Sequence, residues 1–129
     1  LKYDEKKLGI ENEIKWISPT NDAVEIINSC DVFLVSSRED PFPLVVLEAA
    51  LCGKPILGFK NTGGVDEFID ESCGFKVDYL NVSEMSERIL TLNAQNIKTL
   101  GEKSRDKVLT KYNFEISIKK IESIFKELV

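Results

Sequence analysis

Histidine is absent from the 129-residue sequence. This absence removes the side chain that most often serves as a general base and as a metal ligand. It excludes a Ser/His/Asp triad, a Cys/His nucleophile pair and a histidine-ligated zinc site built from these residues. Any chemistry carried out by this chain therefore relies on carboxylates, on backbone amides, or on groups supplied from outside it.

Long apolar runs are also absent, and cysteine is sparse. No stretch approaches the length of a membrane span, and the opening LKYDEKK is neither a signal peptide nor a lipidation site, which predicts a cytoplasmic protein. The cysteines are odd in number and widely spaced, so we expect them to be reduced and buried. They are Cys30, Cys52 and Cys73.

Positive charge is in deficit. The chain has 17 basic and 22 acidic side chains, which gives no electrostatic footprint for nucleic acid or an anionic membrane. Residues 98–129 carry a net charge of +3 and residues 1–97 a net charge of −8. The length fits one domain, residues 1–129. Because the chain begins on Leu and its first 13 residues are polar without a strand, we expect it to be a piece of a longer protein.

Short apolar runs alternate with helical patterns through residues 1–81, which is typical of an α/β fold. We expect the second run, VFLV, to be a central parallel strand covered on both sides, because it is apolar throughout. The runs predicted as strands are residues 14–17, 32–35, 56–59 and 74–77.

Two helices are predicted between these strands. The first takes Thr20 or Asn21 as its N-cap. Its apolar face is expected to hold Val24, Ile27 and Cys30. The second spans residues 43–52, begins on a proline and stops before a glycine.

From residue 82 onward the pattern is helical only, so residues 82–129 form a predicted helical tail. The final helix carries an apolar stripe that needs a partner surface, and packing on the chain's own sheet is the commoner arrangement. The stripe consists of Phe114, Ile118, Ile121, Phe125 and Leu128.

The most informative segment, SSREDPFPLVVLEAALCGKPIL, joins a buried strand to a buried helix through a charged loop. Open α/β sheets bind ligands in the crevice outside the carboxyl ends of their strands, where this loop falls. The helix is expected to offer free amides at Leu44, Val45 and Val46, whose partial positive charge favours a phosphate. Asp40 and Glu48 add carboxylates that suit hydroxyls on both sides of that phosphate, as in a nucleotide sugar.

Each of these features also has a purely structural interpretation. Asp40 could be a helix-flanking residue that does no more than complement the helix dipole, and Glu48 could be an exposed residue on an otherwise buried helix. The glycine pair in NTGGVDEFID could simply make a tight turn. Lys54 and Lys60 flank a strand, where lysines are more often solvated than bound to a ligand.

Three blocks together resemble the C-terminal, donor-binding domain of GT-B glycosyltransferases of group 1, or family 4. They are SSREDPFPLVVLEAALCGKPIL, NTGGVDEFI and CGFKV, followed by a helical tail as in that domain. The family motif of two Glu separated by seven residues corresponds here to Asp40 and Glu48. The resemblance implies a Rossmann-like parallel sheet flanked by helices, the C-terminal half of a GT-B fold.

The resemblance also implies roles for individual residues. Asp40 would be the catalytic residue and would face the hydroxyls of the transferred sugar, and Glu48 would bind the donor's ribose. The diphosphate would lie on the amides of Leu44 and Val45. The residues lining the pocket for sugar and phosphate would be Phe42, Pro43 and Leu44.

The remaining implied positions are more peripheral. Gly63, Gly64 and Glu67 match the family's glycine loop, whose role there is architectural, and Thr20 lies in the region that contacts the nucleobase. Two departures stand out: the first acid is Asp instead of Glu, and Pro43 replaces a common Gly, which removes an amide donor.

The implied activity is a retaining transfer from a UDP- or GDP-linked sugar, with no metal ion and no cofactor, since the chain lacks an Asp-x-Asp motif. The family's basic pair and its N-terminal acceptor domain have no counterpart here, so this chain alone is expected to be inactive. Any peripheral membrane contact would come through that acceptor domain.

Two alternatives stay open. The first is a flavodoxin-like receiver module, although strand 32–35 ends in serines and not in Asp. The second is a non-catalytic homologue that binds partners through its last helix.

Overall fold

The computed structural model describes residues 2–128, which form a parallel sheet flanked by helices, with helices following it. The strands are β1 (Phe33–Leu34), β2 (Ile56–Phe59) and β3 (Gly74–Val77). The helices are α1 (Lys2–Leu8), α2 (Ala23–Asn28), α3 (Leu44–Leu51), α4 (Gly64–Phe68), α5 (Val82–Leu90), α6 (Ala94–Lys111) and α7 (Phe114–Glu127). The predicted α/β fold class is confirmed.

The sheet has the order β1-β2-β3, and both pairings are parallel. Ile56 pairs with Phe33 on one side and with Gly74 on the other. All four residues of β2 are buried because the strand is central and both of its faces are covered. One hydrophobic cluster packs α3, α4 and α6 against the sheet, and a second cluster forms around Phe75 and Met85.

Two strand predictions were wrong in part. Residues 14–17 form no strand, and Ile14, Trp16 and Ile17 are each more than a third exposed. Their pattern suits a strand, but a strand needs a neighbour to accept its ladder of hydrogen bonds, and no described strand lies beside them. For the same reason the run 32–35 is an edge strand and not a central one: β1 pairs on one side only, and Leu34 is 45% exposed.

Helix α2 is shorter than the predicted pattern. Asp22 is its N-cap, and Thr20 accepts a hydrogen bond from the Asp22 N–H at 3.1 Å, so the cap lies one or two residues after the predicted one. Ile27 is buried as expected, whereas Val24 is 49% exposed and Cys30 lies beyond the helix.

The cysteines are all free, as predicted, but they differ in burial. Cys30 is exposed, which contradicts the expectation, because α2 ends before it and turns it towards solvent. Cys52 is half-buried. Cys73 is buried in the core, and this burial raises the pKa of its thiol.

Helix α3 begins one residue later than predicted, because Pro43 is extended (φ −71°, ψ 115°) and serves as the N-cap. Its apolar back face, which includes Val46, Ala49 and Ala50, is fully covered. The helix packs closely on α6: a Cβ placed on Gly101 would lie closer than 3.0 Å to the Gly53 carbonyl oxygen. This backbone contact fixes α6 against the end of α3.

The tail departs from the expected packing at its end. In α6, Lys107 reaches back to the body, where its Nζ contacts Asp70 Oδ2 at 2.7 Å and the Phe68 carbonyl oxygen. Helix α7 buries no residue, and Phe114 and Phe125 are 77% and 65% exposed. The stripe therefore does not pack on the chain's own sheet, because α6 already packs against α3 and β3.

Candidate functional site

The site is built around the acidic loop, residues 36–43, which leads from the carboxyl end of β1 to the start of α3. Its backbone is tied to the glycine loop, residues 61–64, which follows β2. The Asp40 N–H donates to the Thr62 carbonyl at 2.9 Å, and the Gly64 N–H donates to the carbonyls of Asp40 (3.1 Å) and Pro41 (2.9 Å). The two loops thus form one unit at the carboxyl edge of the sheet.

Both glycines of the predicted loop are required by this contact. Gly63 has φ 100° and ψ −140°, a backbone conformation that L-residues rarely adopt, and a Cβ there would overlap the Asp40 carbonyl oxygen. A Cβ on Gly64 would overlap the Pro41 carbonyl oxygen and the Phe42 ring. The glycines therefore let the second loop approach the backbone that carries Asp40, which gives the NTGG sequence a structural purpose.

The start of α3 faces this junction without an internal cap. No side chain donates or accepts a capping hydrogen bond at this helix start. The Val46 N–H donates to the Pro43 carbonyl at 3.0 Å, which removes one of the three amides expected to be free. The N–H groups of Leu44 and Val45 have no hydrogen-bond acceptor among residues 2–128, so they keep their capacity to bind an anion.

Phe42 is held by an aromatic stack that sequence reasoning missed. Its ring lies 5.7 Å from that of Tyr112, which follows α6, and Tyr112 in turn packs on Phe68 with a centroid distance of 5.3 Å. Burial raises the pKa of Tyr112, the charge of Lys107 opposes the rise, and the charge of Glu67 adds to it. Glu67 itself is exposed on α4, within electrostatic range of this stack.

A first open groove, of about 430 Å³, lies between α2, the start of α3 and the segment that precedes α2. Thr20 and Val45 both line it, so the structure brings the predicted base-contacting residue next to the predicted phosphate-binding helix end. The walls are mostly apolar, with Pro19, Ile26 and Phe33 among them. A flat aromatic group would find apolar contacts here.

A second groove, of about 420 Å³, contains Glu48. It lies further along α3, between that helix, α2 and α6, and its lining includes Arg105. Glu48 is exposed on the open face of α3, one turn after Leu44 and beside Val45, so a ligand lying along this face could reach both the helix start and the carboxylate. Thr20 and Glu48 thus border neighbouring grooves, not the same one.

Two lysines near the carboxyl ends of the strands are already paired. Lys60 contacts Asp78 and Lys76 contacts Asp66, each at 2.7 Å, and the hydrogen bond from Lys76 lowers the pKa of Asp66. By contrast, Arg38 in the acidic loop makes no ion pair within the described part of the chain.

Residues 2–128 contain no group of three or more Asp, Glu or Cys side chains close enough together to hold a metal ion. Among the helices of the same range, none has both the length and the apolar character needed to cross a membrane.

A family model described as "Glycosyl transferases group 1" matches residues 1–110. The chain belongs to the group 1 glycosyltransferase family. A glycosyltransferase of Haemophilus influenzae described as uncharacterized is 32% identical over 108 residues, which are 81% of this chain and 31% of that protein. The chain spans about a third of the length of the curated relatives it matches. This membership favours an enzyme family over the receiver-like alternative.

Solved structures agree with the group 1 fold. HepE of Anabaena, in complex with UDP-glucose, matches with a TM-score of 0.85 and 23% identity over 98% of this chain and 35% of HepE. The C-terminal domain of LpcC, a group 1 protein of Francisella tularensis, matches with a TM-score of 0.75 and 21% identity over 88% of this chain and 60% of that one. The predicted resemblance to the C-terminal domain of a GT-B glycosyltransferase is confirmed.

For this group 1 chain, the structure brings together most of the predicted site. Asp40, Phe42 and Pro43 lie on one loop that touches Gly63 and Gly64, and α3 follows directly. Tyr112 and Arg105 were not predicted, because Arg105 lies on α6 and Tyr112 directly follows it, both distant in sequence. The only local signal was that Tyr112 ends a helix next to Asn113, which caps the following one.

Proposed function

We propose that this chain is the donor-binding domain of a group 1 glycosyltransferase and that it binds a UDP- or GDP-linked sugar. The observation that carries the proposal is the backbone junction of Asp40 with Thr62 and Gly64, which fixes the backbone of the loop that leads into the uncapped start of α3. HepE, of the same fold, has been solved with UDP-glucose and with UDP. An anion site next to hydroxyl-binding carboxylates suits such a donor.

The donor would lie along the open face of α3. Its diphosphate accepts hydrogen bonds from the N–H groups of Leu44 and Val45, and the base occupies the apolar groove that Thr20 lines. Glu48 follows Leu44 by four residues, a rise of about 6 Å, which brings its carboxylate to the ribose hydroxyls between base and phosphate. The transferred sugar then lies on the other side of the diphosphate, against the acidic loop.

Transfer breaks the bond between the anomeric carbon and the diphosphate oxygen, which leaves with the electron pair. A hydroxyl oxygen of the acceptor forms the new bond to that carbon, and the hydroxyl proton passes to the leaving diphosphate. The helix amides stabilise the negative charge that develops on that oxygen, and Asp40 accepts hydrogen bonds from the sugar hydroxyls while its charge stabilises the positive anomeric centre. We also propose that the transfer retains the configuration at the anomeric carbon and that it needs no metal ion. The absence of an Asp-x-Asp motif supports the second of these.

The same proposal assigns the acceptor site to a second domain. Residues 1–97 carry a net charge of −8, which is unfavourable for a diphosphate, and we propose that cations of the second domain supply part of the neutralisation. A cytoplasmic location, with any membrane contact made through the acceptor domain, belongs to the proposal as well.

The test uses the intact protein, titrated with UDP and assayed for transfer from UDP- and GDP-sugars. Glu48→Ala removes a charged hydrogen-bond acceptor and should weaken UDP binding about 10- to 100-fold. Asp40→Asn should retain most of the UDP affinity but lose transfer, because its carboxylate faces the sugar and not the nucleotide. Glu39→Gln removes a neighbouring negative charge that does not have the seven-residue separation from Glu48. It is the matched control and should alter neither UDP binding nor transfer.

The two variants can each contradict the proposal. Unchanged UDP affinity in Glu48→Ala would remove the ribose assignment. Parallel loss of binding and transfer in Asp40→Asn would place Asp40 at the nucleotide and not at the sugar. UDP binding without transfer in the wild-type protein would favour the non-catalytic homologue.

A further inference from the structure

The groove that contains Glu48 also contains a cation. Arg105 projects from α6 into the same space of about 420 Å³, whose other walls are mainly the apolar side chains of Val24 and Leu51. Neither Glu48 nor Arg105 makes an ion pair or a side-chain hydrogen bond with any residue from 2 to 128. An acid and a guanidinium thus share one open groove without contacting each other or any other charged group.

The backbone positions of these two residues are fixed relative to each other. Gly101 and Ser104 of α6 are both buried, and Gly101 packs backbone to backbone on Gly53, just beyond the end of α3. Arg105 is exposed and follows Gly101 by four residues, so it lies on the same side of α6. The two helices therefore hold the backbones of Glu48 and Arg105 at the same groove.

We infer that Arg105 is a positioning residue for Glu48: its guanidinium holds the Glu48 carboxylate in the orientation that accepts hydrogen bonds from the donor's ribose hydroxyls. The inference rests on the proposed function. A guanidinium can fix the plane of a carboxylate through two parallel N–H···O bonds and leave the outer lone pairs of its oxygens to accept from hydroxyls, whereas an ammonium, as a point charge, fixes that plane less well. Arg105 therefore acts on the nucleotide only through Glu48.

The test compares UDP with 2′-deoxy-UDP on the intact protein. Arg105→Gln should weaken UDP binding about two- to fivefold at low salt, as expected for loss of an exposed ion pair, and the difference should shrink at high salt. Binding of 2′-deoxy-UDP, which lacks one of the hydroxyls, should change less. Lys103→Gln removes the same charge from α6 outside the groove and should have no effect, while Arg105→Lys should recover part of the affinity.

A double variant separates positioning from general attraction. If Arg105 works through Glu48, Glu48→Ala with Arg105→Gln should bind UDP as weakly as Glu48→Ala alone, because the second change has nothing left to act on. Additive losses, or equal losses for UDP and 2′-deoxy-UDP, would overturn the inference and leave Arg105 as a general attraction for anions.

The outcome for the proposed function is read separately. Wild-type affinity in Arg105→Gln, together with a loss in Glu48→Ala, would refute the positioning role and leave the donor site intact. Failure of the wild-type protein to bind either UDP or GDP would refute the proposed function itself. Thermal unfolding of each variant shows whether it is folded. If Arg105→Gln does not fold, Arg105→Lys is used instead, because it keeps the aliphatic part of the side chain.

Discussion

Replacing Gly63 by alanine tests whether the junction between the two loops determines the site. Gly63 has φ 100° and ψ −140°, and holding an alanine there costs about 1–3 kcal/mol. The new Cβ would also lie closer than 3.0 Å to the Asp40 carbonyl oxygen, so the loops must separate. Loss of the bonds from Asp40 N–H to Thr62 and from Gly64 N–H to Asp40 costs about 1 kcal/mol each, and the total is about 3–5 kcal/mol.

Gly9→Ala is the matched control. Gly9 also has a positive φ, 69°, but a Cβ there meets no atom within 4 Å. Gly9→Ala should therefore lower the free energy of unfolding only by the cost of the left-handed backbone conformation, about 1–2 kcal/mol. Urea unfolding followed by circular dichroism measures both variants, and UDP titration follows the site. If Gly63→Ala is no less stable than Gly9→Ala, or keeps full transfer activity, the claim that the loop contact positions Asp40 is wrong.

Two further predictions concern the contacts that α6 makes with the body. The hydrogen bond from Lys107, with help from Ser72, holds the pKa of Asp70 well below its ordinary 3.8, so its contribution to stability is present above that value and is lost as the pH falls below about 4. Lys107→Met should therefore lower stability at pH 7 and flatten the acid dependence, and equally steep acid loss in urea unfolding would contradict this. Tyr112→Leu removes the ring stacked on Phe42, a contact worth about 0.5–1.5 kcal/mol, and should raise the KM for the donor. Tyr112→Phe keeps the stack and should behave as wild type, and equal KM values in both variants would rule out a role for the stack.

Much of the fold could be predicted because its signals are local. The run Ile56–Phe59 is apolar and bounded by Pro55 and Asn61, and α3 follows a proline, so backbone restriction and side-chain pattern agree. The NTGG loop was recognisable because glycine is needed where φ is positive. Residues 14–17 show the limit of this reasoning, since an apolar pattern predicts a strand only where a neighbour exists to pair with it.

The candidate site also has a part that the sequence could predict and a part that it could not. The sequence has Asp40 and Glu48 eight positions apart around a predicted helix start, and the resemblance to the family led to the prediction that both contact the donor. Sequence could not show that Gly64 donates to the carbonyls of Asp40 and Pro41, that Tyr112 supports Phe42, or that Arg105 faces the groove of Glu48. These contacts join segments far apart in the chain, and only the packing of α6 on α3 and of one loop on the other decides which of them meet.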